Sequence, residues 1–581
     1  MERNLTVLTE QEYDLVIVGG GIFGACAAWD ATLRGLKVAL LEKGDIGHAT
    51  SANHYKMIHG GIRYLQHADI YRIRESVRER SAMLRTAPHL TDPLPIALPT
   101  YGHGIKGAEA MRAALYIFAG LTADRNRGIK DPNQQIPVGY LMNKQKSLEM
   151  FPHLKQEGLT GTAVFYDGQI YNPPRLTLAY AQGAASRGAD IVNYVEATDL
   201  LRDGKRILGV KARDVWTDEE FEVRGKLVLN AAGPWADRII AKHFGKGLHS
   251  TPIFSRDSYF IVRGKHVPQT LAVQGDTADP DAVLSRGNRH LFIVPWRDYT
   301  MLGVWHLVHK GHPESFKLTY DDVSGFLDEI KRAYPGLNDV TMDDVIMWNA
   351  GLTLFGDNKP GQVNLSYGKR SILIDHKEQD DIDGLLTLIG VRYTIGRDIA
   401  KKAIDAAFKK LGYNSFPESE TEWVPVYGGN IAHFSNFLDE AKRQVPQIES
   451  HVMEDVVRNY GTHYERVLGY AHEDPTMLQP FGGTTTIRAQ VVHAMREEWA
   501  QTLADVVFRR TGLATGENPG DDVLEAVANM MAGELGWDIA RKEQELARVK
   551  ARFEMGTTLE QLNVKPNMID AEEPELAPAG D

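Results

Sequence analysis

The stretch YDLVIVGGGIFGACAAWDATLRGLKVALLEK, residues 13–43, constrains the fold more than any other part of the chain. It predicts a short apolar strand over residues 15–18, a glycine turn, and a helix to about residue 34. A stop at Gly35 and a second strand over 38–41, ending in Glu42, complete the unit. Gly19, Gly21 and Gly24 carry the G-x-G-x-x-G spacing. Such glycines give a tight turn, a bare backbone approach for a pyrophosphate, and close packing of helix on strand. Phosphate charge would sit at the helix N-terminus, where free N–H groups and the helix dipole favour it. Glu42, 18 residues past Gly24, is placed to accept hydrogen bonds from ribose hydroxyls. The motif points to a dinucleotide without separating FAD from NAD.

Charge and cysteine usage remove several other classes. A formal net charge of −12 argues against nucleic acid as a partner, since its binders usually carry a basic face. The single cysteine, Cys26, excludes an intrachain disulfide and any multi-cysteine metal or iron–sulfur site. It follows a glycine at the start of an apolar helix, where a small packed residue is expected rather than a nucleophile. The first dozen residues, MERNLTVLTEQE, lack a basic start and an apolar core, so no secretory signal is expected there. No run of 18 apolar residues suggests a spanning helix, which leaves surface attachment open.

The nucleotide-binding scaffold is revisited along the chain. Residues 189–232 read as β-rich, closing on an apolar strand and the turn Asn230-Ala231-Ala232-Gly233, and residues 384–412 read as strand, glycine turn and helix. So discontinuous a layout suits a long cofactor held permanently. Residues 250–355 hold short aromatic and β-branched runs around one helix, DDVSGFLDEIKRAYPG, as in an antiparallel layer over a cofactor site. Beyond about residue 415 apolar positions recur at three and four, predicting a helical domain. The expected division is 11–100, 160–245 and 357–412 for cofactor binding, 101–159 and 246–356 for a substrate cap, 413–555 for helices, and 556–581 for a flexible tail.

Several motifs together, DLVIVGGGIFGA, KMIHGGIRYL, APHL, FIVPW, the late G-x-x-Y-T and NYGTHYERVL, resemble the FAD-dependent glycerol-3-phosphate dehydrogenase and oxidase family over residues 11–550 or so. The resemblance implies a glutathione-reductase-type (Rossmann) α/β FAD-binding domain, an antiparallel β + α substrate domain and a C-terminal helical domain. It implies bound FAD, oxidation of a secondary alcohol, and electrons passing to quinone or oxygen. FAD contacts are expected from Gly19, Gly21, Gly24, Glu42, Thr50, Ser51, Val195, Gly233, Arg392, Tyr393 and Thr394. His59, Arg63 and Tyr64 match residues lining the family's substrate pocket. His59 is the expected base for the hydroxyl proton, because imidazole titrates near neutrality; Arg63 and Arg392 are expected to stabilise negative charge. His54 and Lys56 read as a solvated loop.

Departures from the family pattern cluster in the pocket. A serine-rich run is Ala52-Asn53-His54-Tyr55 here, G-T-T-D is Gly303-Val304-Trp305-His306, and a G-G-K lysine is Arg392. The phosphate-gripping arginine of a V-R-P-L segment is replaced by Thr353, which cannot supply a bidentate charge. Arg256, Lys369 and Arg370 are candidate replacements, while Tyr259 and Trp305 are expected to make the pocket more aromatic. Three readings stay open: oxidation of glycerol 3-phosphate, the same chemistry on another polyol phosphate or a non-phosphorylated alcohol or amine, and a non-catalytic flavin-binding subunit. His306, His309 and His312 are spaced by three, but nearby Gly303, Gly311 and Pro313 favour strand and turn, so no metal site is expected. For the apolar helix at 111–123 two readings stay open: core packing, and the surface attachment that the resemblance implies for quinone-linked members. A cytoplasmic protein, peripheral on the inner face of the cell membrane, and a homodimer partner are the matching expectations.

Overall fold

The computed structural model describes residues 3–104, 107–244, 253–278, 288–354 and 371–558. Lys369, Arg370 and the expected tail from about residue 559 onward lie outside the described residues.

Three separated stretches of chain build the first sheet. Its strands run in the order Ile372–Asp375, Leu385–Ile389, Glu220–Asn230, Tyr13–Val18, Val38–Glu42, Asp190–Asn193. The last five are parallel, and an antiparallel pair, Val195–Asp203 with Arg206–Asp214, extends from Glu220–Asn230. Leu15, Val16 and Ile17 are all fully buried, as a strand covered on both faces requires; hence a continuous apolar run in place of alternation. The helix Ile22–Leu33 shares one core with Pro173–Ala185 and Gly396–Lys410. Gly24 permits that packing: a Cβ there would lie 1.9 Å from the Gly19 carbonyl oxygen.

The second sheet has nine strands, mostly antiparallel, including Ile253–Arg263, Asn288–Trp296, Tyr299–Lys310 and Val345–Leu354. It also takes Met57–Ile58, Thr91–Tyr101 and Leu159–Ile170. The expected boundaries at residues 100 and 160 therefore do not follow the sheets. Thr91–Tyr101 and Leu159–Ile170 pair with each other along their whole length, which keeps both in the second layer. One face of this sheet packs on the helix Tyr320–Ala333, and the other faces the first sheet's loops.

Helices fill the chain from Phe434 to Ala551. The run at 487–512, which reads as one helix, is broken: Arg488–Glu497 ends, Trp499 takes a positive φ of 57°, and a new helix starts at Leu503. Thr502 and Asp505 form a reciprocal capping box that nucleates the restart. From this second segment Arg509 and Arg510 both reach Asp45, in the loop after Glu42. The helical region is thus tied directly to the cofactor-binding loop.

Candidate functional site

A cavity of about 800 Å³ runs between the two sheets. At one end are Gly19, Gly21, Glu42, Thr50, Ser51, Val195 and Gly233, all seven expected from sequence to touch a cofactor. The Gly20 N–H donates to Glu42 Oε2 at 2.6 Å and the Gly44 N–H to Oε1 at 2.9 Å. Each oxygen retains lone-pair capacity for a ribose hydroxyl. Ser51 Oγ accepts from the Ile22 N–H at 2.9 Å, and Thr50 Oγ1 donates to Leu352 O at 2.8 Å, joining this loop to the second sheet. Gly24 is not on the cavity wall; its contribution is the packing already described. A helix start made of glycine backbone, with an acid beside it, fits the diphosphate and ribose of a dinucleotide.

Further along lie His59, Arg63, Tyr64, Arg392, Tyr393 and Thr394. His59 Nδ1 is 3.3 Å from Asp167 Oδ2, and the His59 side chain is 54% exposed to the cavity. Asp167 is buried; burial alone would raise its carboxyl, but the His59 ring, Arg80 and the Gly60 N–H hold it below the usual carboxylate range. A carboxylate that fixes a proton on Nδ1 leaves Nε2 as the proton acceptor. The Thr394 hydroxyl accepts from the His59 N–H at 3.3 Å, while Tyr393 stacks on His54 at 4.4 Å. Arg392 pairs with Glu75 at 2.6 Å and also donates to Ser76 and to the Tyr64 hydroxyl. Its charge is therefore balanced within the protein, and its clearest effect is to hold Tyr64.

The second sheet supplies the opposite wall through Asp257, Tyr259, His290, Val304, His306 and Thr353. His306 Nδ1 lies 2.6 Å from Asp257 Oδ1. Strand alternation corrects two expectations. Arg256 and Trp305 stand on the other face, where Arg256 binds Asp322 in two hydrogen bonds and Trp305 stacks on Phe326 at 4.3 Å. Residues one step apart on a strand face opposite ways, so neither reaches the cavity. His309, the second residue of the histidine run, is bonded to the His312 carbonyl, and the segment is strand and turn. His54 and Lys56 are not a solvated loop either. Lys56 is 5% exposed and donates to the Tyr259 hydroxyl at 2.8 Å. Burial, and then Arg297, presses its ammonium down to about 7; burial, and then His59 and Lys56, presses His54 down to about 3. Tyr259 itself is 1% exposed, so it underlies the wall more than it projects from it.

Asp167 and Asp257 were not read as site residues, and His306 was marked only as a departure from the family pattern. Asp167 is 108 positions from His59, and nothing local marks it. Asp257 could have been found by alternation, since it shares a strand face with Tyr259.

A dinucleotide seat on a parallel sheet, with a carboxylate-held imidazole on the same cavity, defines a dinucleotide-dependent oxidoreductase. Residues 14–366 match the family model described as FAD dependent oxidoreductase, and residues 419–542 match the C-terminal domain of alpha-glycerophosphate oxidase. Human mitochondrial glycerol-3-phosphate dehydrogenase is 32% identical over 95% of this chain and 75% of its own length. Glycerol-3-phosphate dehydrogenase of a Synechocystis strain is 28% identical over 92% and 95%. The fold is that of the Bacillus halodurans glycerol-3-phosphate dehydrogenase structure, at a TM-score of 0.74, 24% identity and coverage of 97% and 98%. The chain belongs to the FAD-dependent glycerol-3-phosphate dehydrogenase/oxidase family. It is a flavoenzyme whose cofactor is FAD, as the family resemblance implied.

Proposed function

We propose that the enzyme oxidises the secondary alcohol of glycerol 3-phosphate to dihydroxyacetone phosphate and passes the electrons to a quinone. The observation that carries this reading is the His59–Asp167 pair on the cavity that also holds the glycine turn and Ser51. Bound FAD supplies the two-electron acceptor for hydride. His59 takes the hydroxyl proton on Nε2, and Asp167 keeps the ring oriented and stabilises the imidazolium that results. Tyr64, held by Arg392, and Arg63 give the same wall a hydroxyl and a cation for the substrate's oxygens. The activity named for relatives at 32% identity supports this substrate over other alcohols.

The quinone assignment is supported by the helix Ala108–Leu121. Its Met111 and Ala114 line the cavity, whereas Tyr116 and Ile117 are 70% and 57% exposed. An apolar acceptor met at a lipid surface would use both sides. Among the described residues no helix is long and apolar enough to cross a membrane.

Anaerobic mixing with glycerol 3-phosphate, followed by flavin absorbance, tests the reading. The flavin should bleach in the parent, and His59→Ala should slow that bleaching roughly 100- to 10,000-fold without loss of bound flavin. Equal rates in the two proteins would remove His59 as the base. A parent flavin that glycerol 3-phosphate leaves oxidised would remove the substrate.

A further inference from the structure

One carboxylate of the second layer reaches the cofactor end of the first. Glu314 stands in the turn Pro313–Ser315, which follows the strand Tyr299–Lys310. It accepts the Trp235 indole N–H at 2.6 Å and an Arg238 N–H at 2.7 Å, and Lys43 Nζ lies 3.9 Å away. These partners come from two separate pieces of the first layer. Lys43 follows the strand that ends in Glu42, Trp235 closes the turn Gly233–Trp235, and Arg238 belongs to the helix Ala236–Phe244 after it. All three line the cavity, with Val195, Ala197 and Ile239 beside them, whereas Glu314 is not on its wall. Because Glu42 faces the ribose of a dinucleotide, the wall just beyond it lies on the adenosine side of the site.

The contacts at Glu314 form one unit. Lys43 sits 4.1 Å over the Trp235 ring, and Trp235 is 8% exposed. Among the described residues Glu314 is the one acceptor of the indole N–H. Burial alone would raise the Glu314 carboxyl, but the indole, its own backbone N–H, Arg238 and Lys43 hold it below the usual carboxylate range. An ionised acceptor makes these hydrogen bonds the strong, charge-assisted kind. Arg238 and Lys43 face this carboxylate, so at this end they build a wall and present no free cation.

We propose that Glu314 is a positioning residue for FAD: by pinning Trp235, Arg238 and Lys43 it fixes the wall that retains the adenosine half of the cofactor. It acts through these side chains. On this reading the flavin ring lies toward His59, at the other end of the cavity, so the clasp governs how long FAD stays bound and leaves its redox chemistry alone. The inference holds whether or not glycerol 3-phosphate is the substrate.

The test is FAD release from the holoenzyme, read as growth of free-flavin fluorescence after dilution, in Glu314→Ala, Glu314→Gln, Trp235→Phe and the double variant Glu314→Ala/Trp235→Phe. Glu314→Ala should speed release roughly 5- to 50-fold, less than a fully buried charged contact would give, because this cluster is partly exposed. Glu314→Gln keeps an acceptor for the indole but loses the charge, and should fall between the parent and Glu314→Ala. Trp235→Phe removes the N–H and keeps a ring. In that background Glu314→Ala should add less than it does in the parent, since a residue acting through the indole N–H loses that route. The absorbance spectrum of the flavin still bound should match the parent's throughout. Arg256→Met, which breaks two hydrogen bonds to Asp322 on the far face of the second sheet, is the control for lost stability. It should lower the thermal midpoint and leave FAD release at the parent rate. Unchanged release in Glu314→Ala, fully additive effects of Glu314→Ala and Trp235→Phe, or release quickened as much by Arg256→Met overturns the proposal. If the alanine variant yields no holoenzyme, the isosteric glutamine variant carries the test, and release from it at the parent rate overturns the proposal.

Discussion

Lys56 shows how much one side chain can cost a fold. Its ammonium is buried beneath the cavity wall, hydrogen-bonded to Tyr259 and lying 4.6 Å from the Trp296 ring centre, and it has no ion pair among the described residues. Burying a cation without a carboxylate is unfavourable, so the group loses its proton near pH 7 instead of 10.5. The unfolded chain binds more protons than the native one between those values. Stability therefore rises with pH across that window, and the penalty is fully present below it. Lys56→Met, close in volume, should accordingly be more stable than the parent by about 1–3 kcal/mol at acidic pH. The gap should close as pH rises toward 10.5. Thermal midpoints of the two proteins over that range check it, and a gap that widens with pH would contradict the burial argument. The positive φ of 62° at Lys56 is a further local cost.

At the scale of elements, legibility tracks how local the determinants are. The strand–turn–helix–strand unit at the start was readable because glycine spacing, apolar run and terminal acid all lie within 30 residues. The three visits to the first sheet were readable for the same reason, each being its own apolar strand. Faces were harder: Arg256 and Trp305 have the right chemistry for a pocket, but the strand period places them against Asp322 and Phe326. The helix break before Leu503 was written in Thr502-x-x-Asp505, a cap masked by the apolar residues around it. The helix Ala108–Leu121 carries a prediction at this scale. Its outward Tyr116 and Ile117 touch little of the protein, so Tyr116→Asp with Ile117→Asp should leave flavin reduction by glycerol 3-phosphate near the parent rate. Retention on anionic lipid vesicles and turnover with a lipid-embedded quinone should both fall about tenfold or more. Unchanged vesicle binding would detach this helix from any membrane role.

Across the whole molecule, the join between the helical region and the first sheet is built from buried charge and neutral histidine. Arg175 meets Glu498 at 2.6 Å, and Asp45 receives two arginines. Among these pairs lie His89 and His493, 1% and 2% exposed. Burial first, then the nearby Arg175, drives both imidazoles down, to about 3 and about 4; for His493 the Glu498 carboxylate partly opposes the drop. Together with His54 they make three rings that the native protein keeps neutral and the unfolded chain protonates near 6.5. Between that value and about 4 the unfolded state binds more protons, so stability falls as pH falls, by about 1–2 kcal/mol per ring at roughly pH 5. Because two of the three sit at the join, acid should loosen the helical region from the sheet and, through Asp45, the loop that holds the cofactor. Flavin release and the thermal midpoint should therefore fall together on acidification from neutrality. His89→Gln, which keeps a polar side chain without the titration, should flatten part of that acid limb. A midpoint that stays level from neutrality to about pH 5, or a His89→Gln protein as acid-labile as the parent, would mean that these rings are not what couples the two regions.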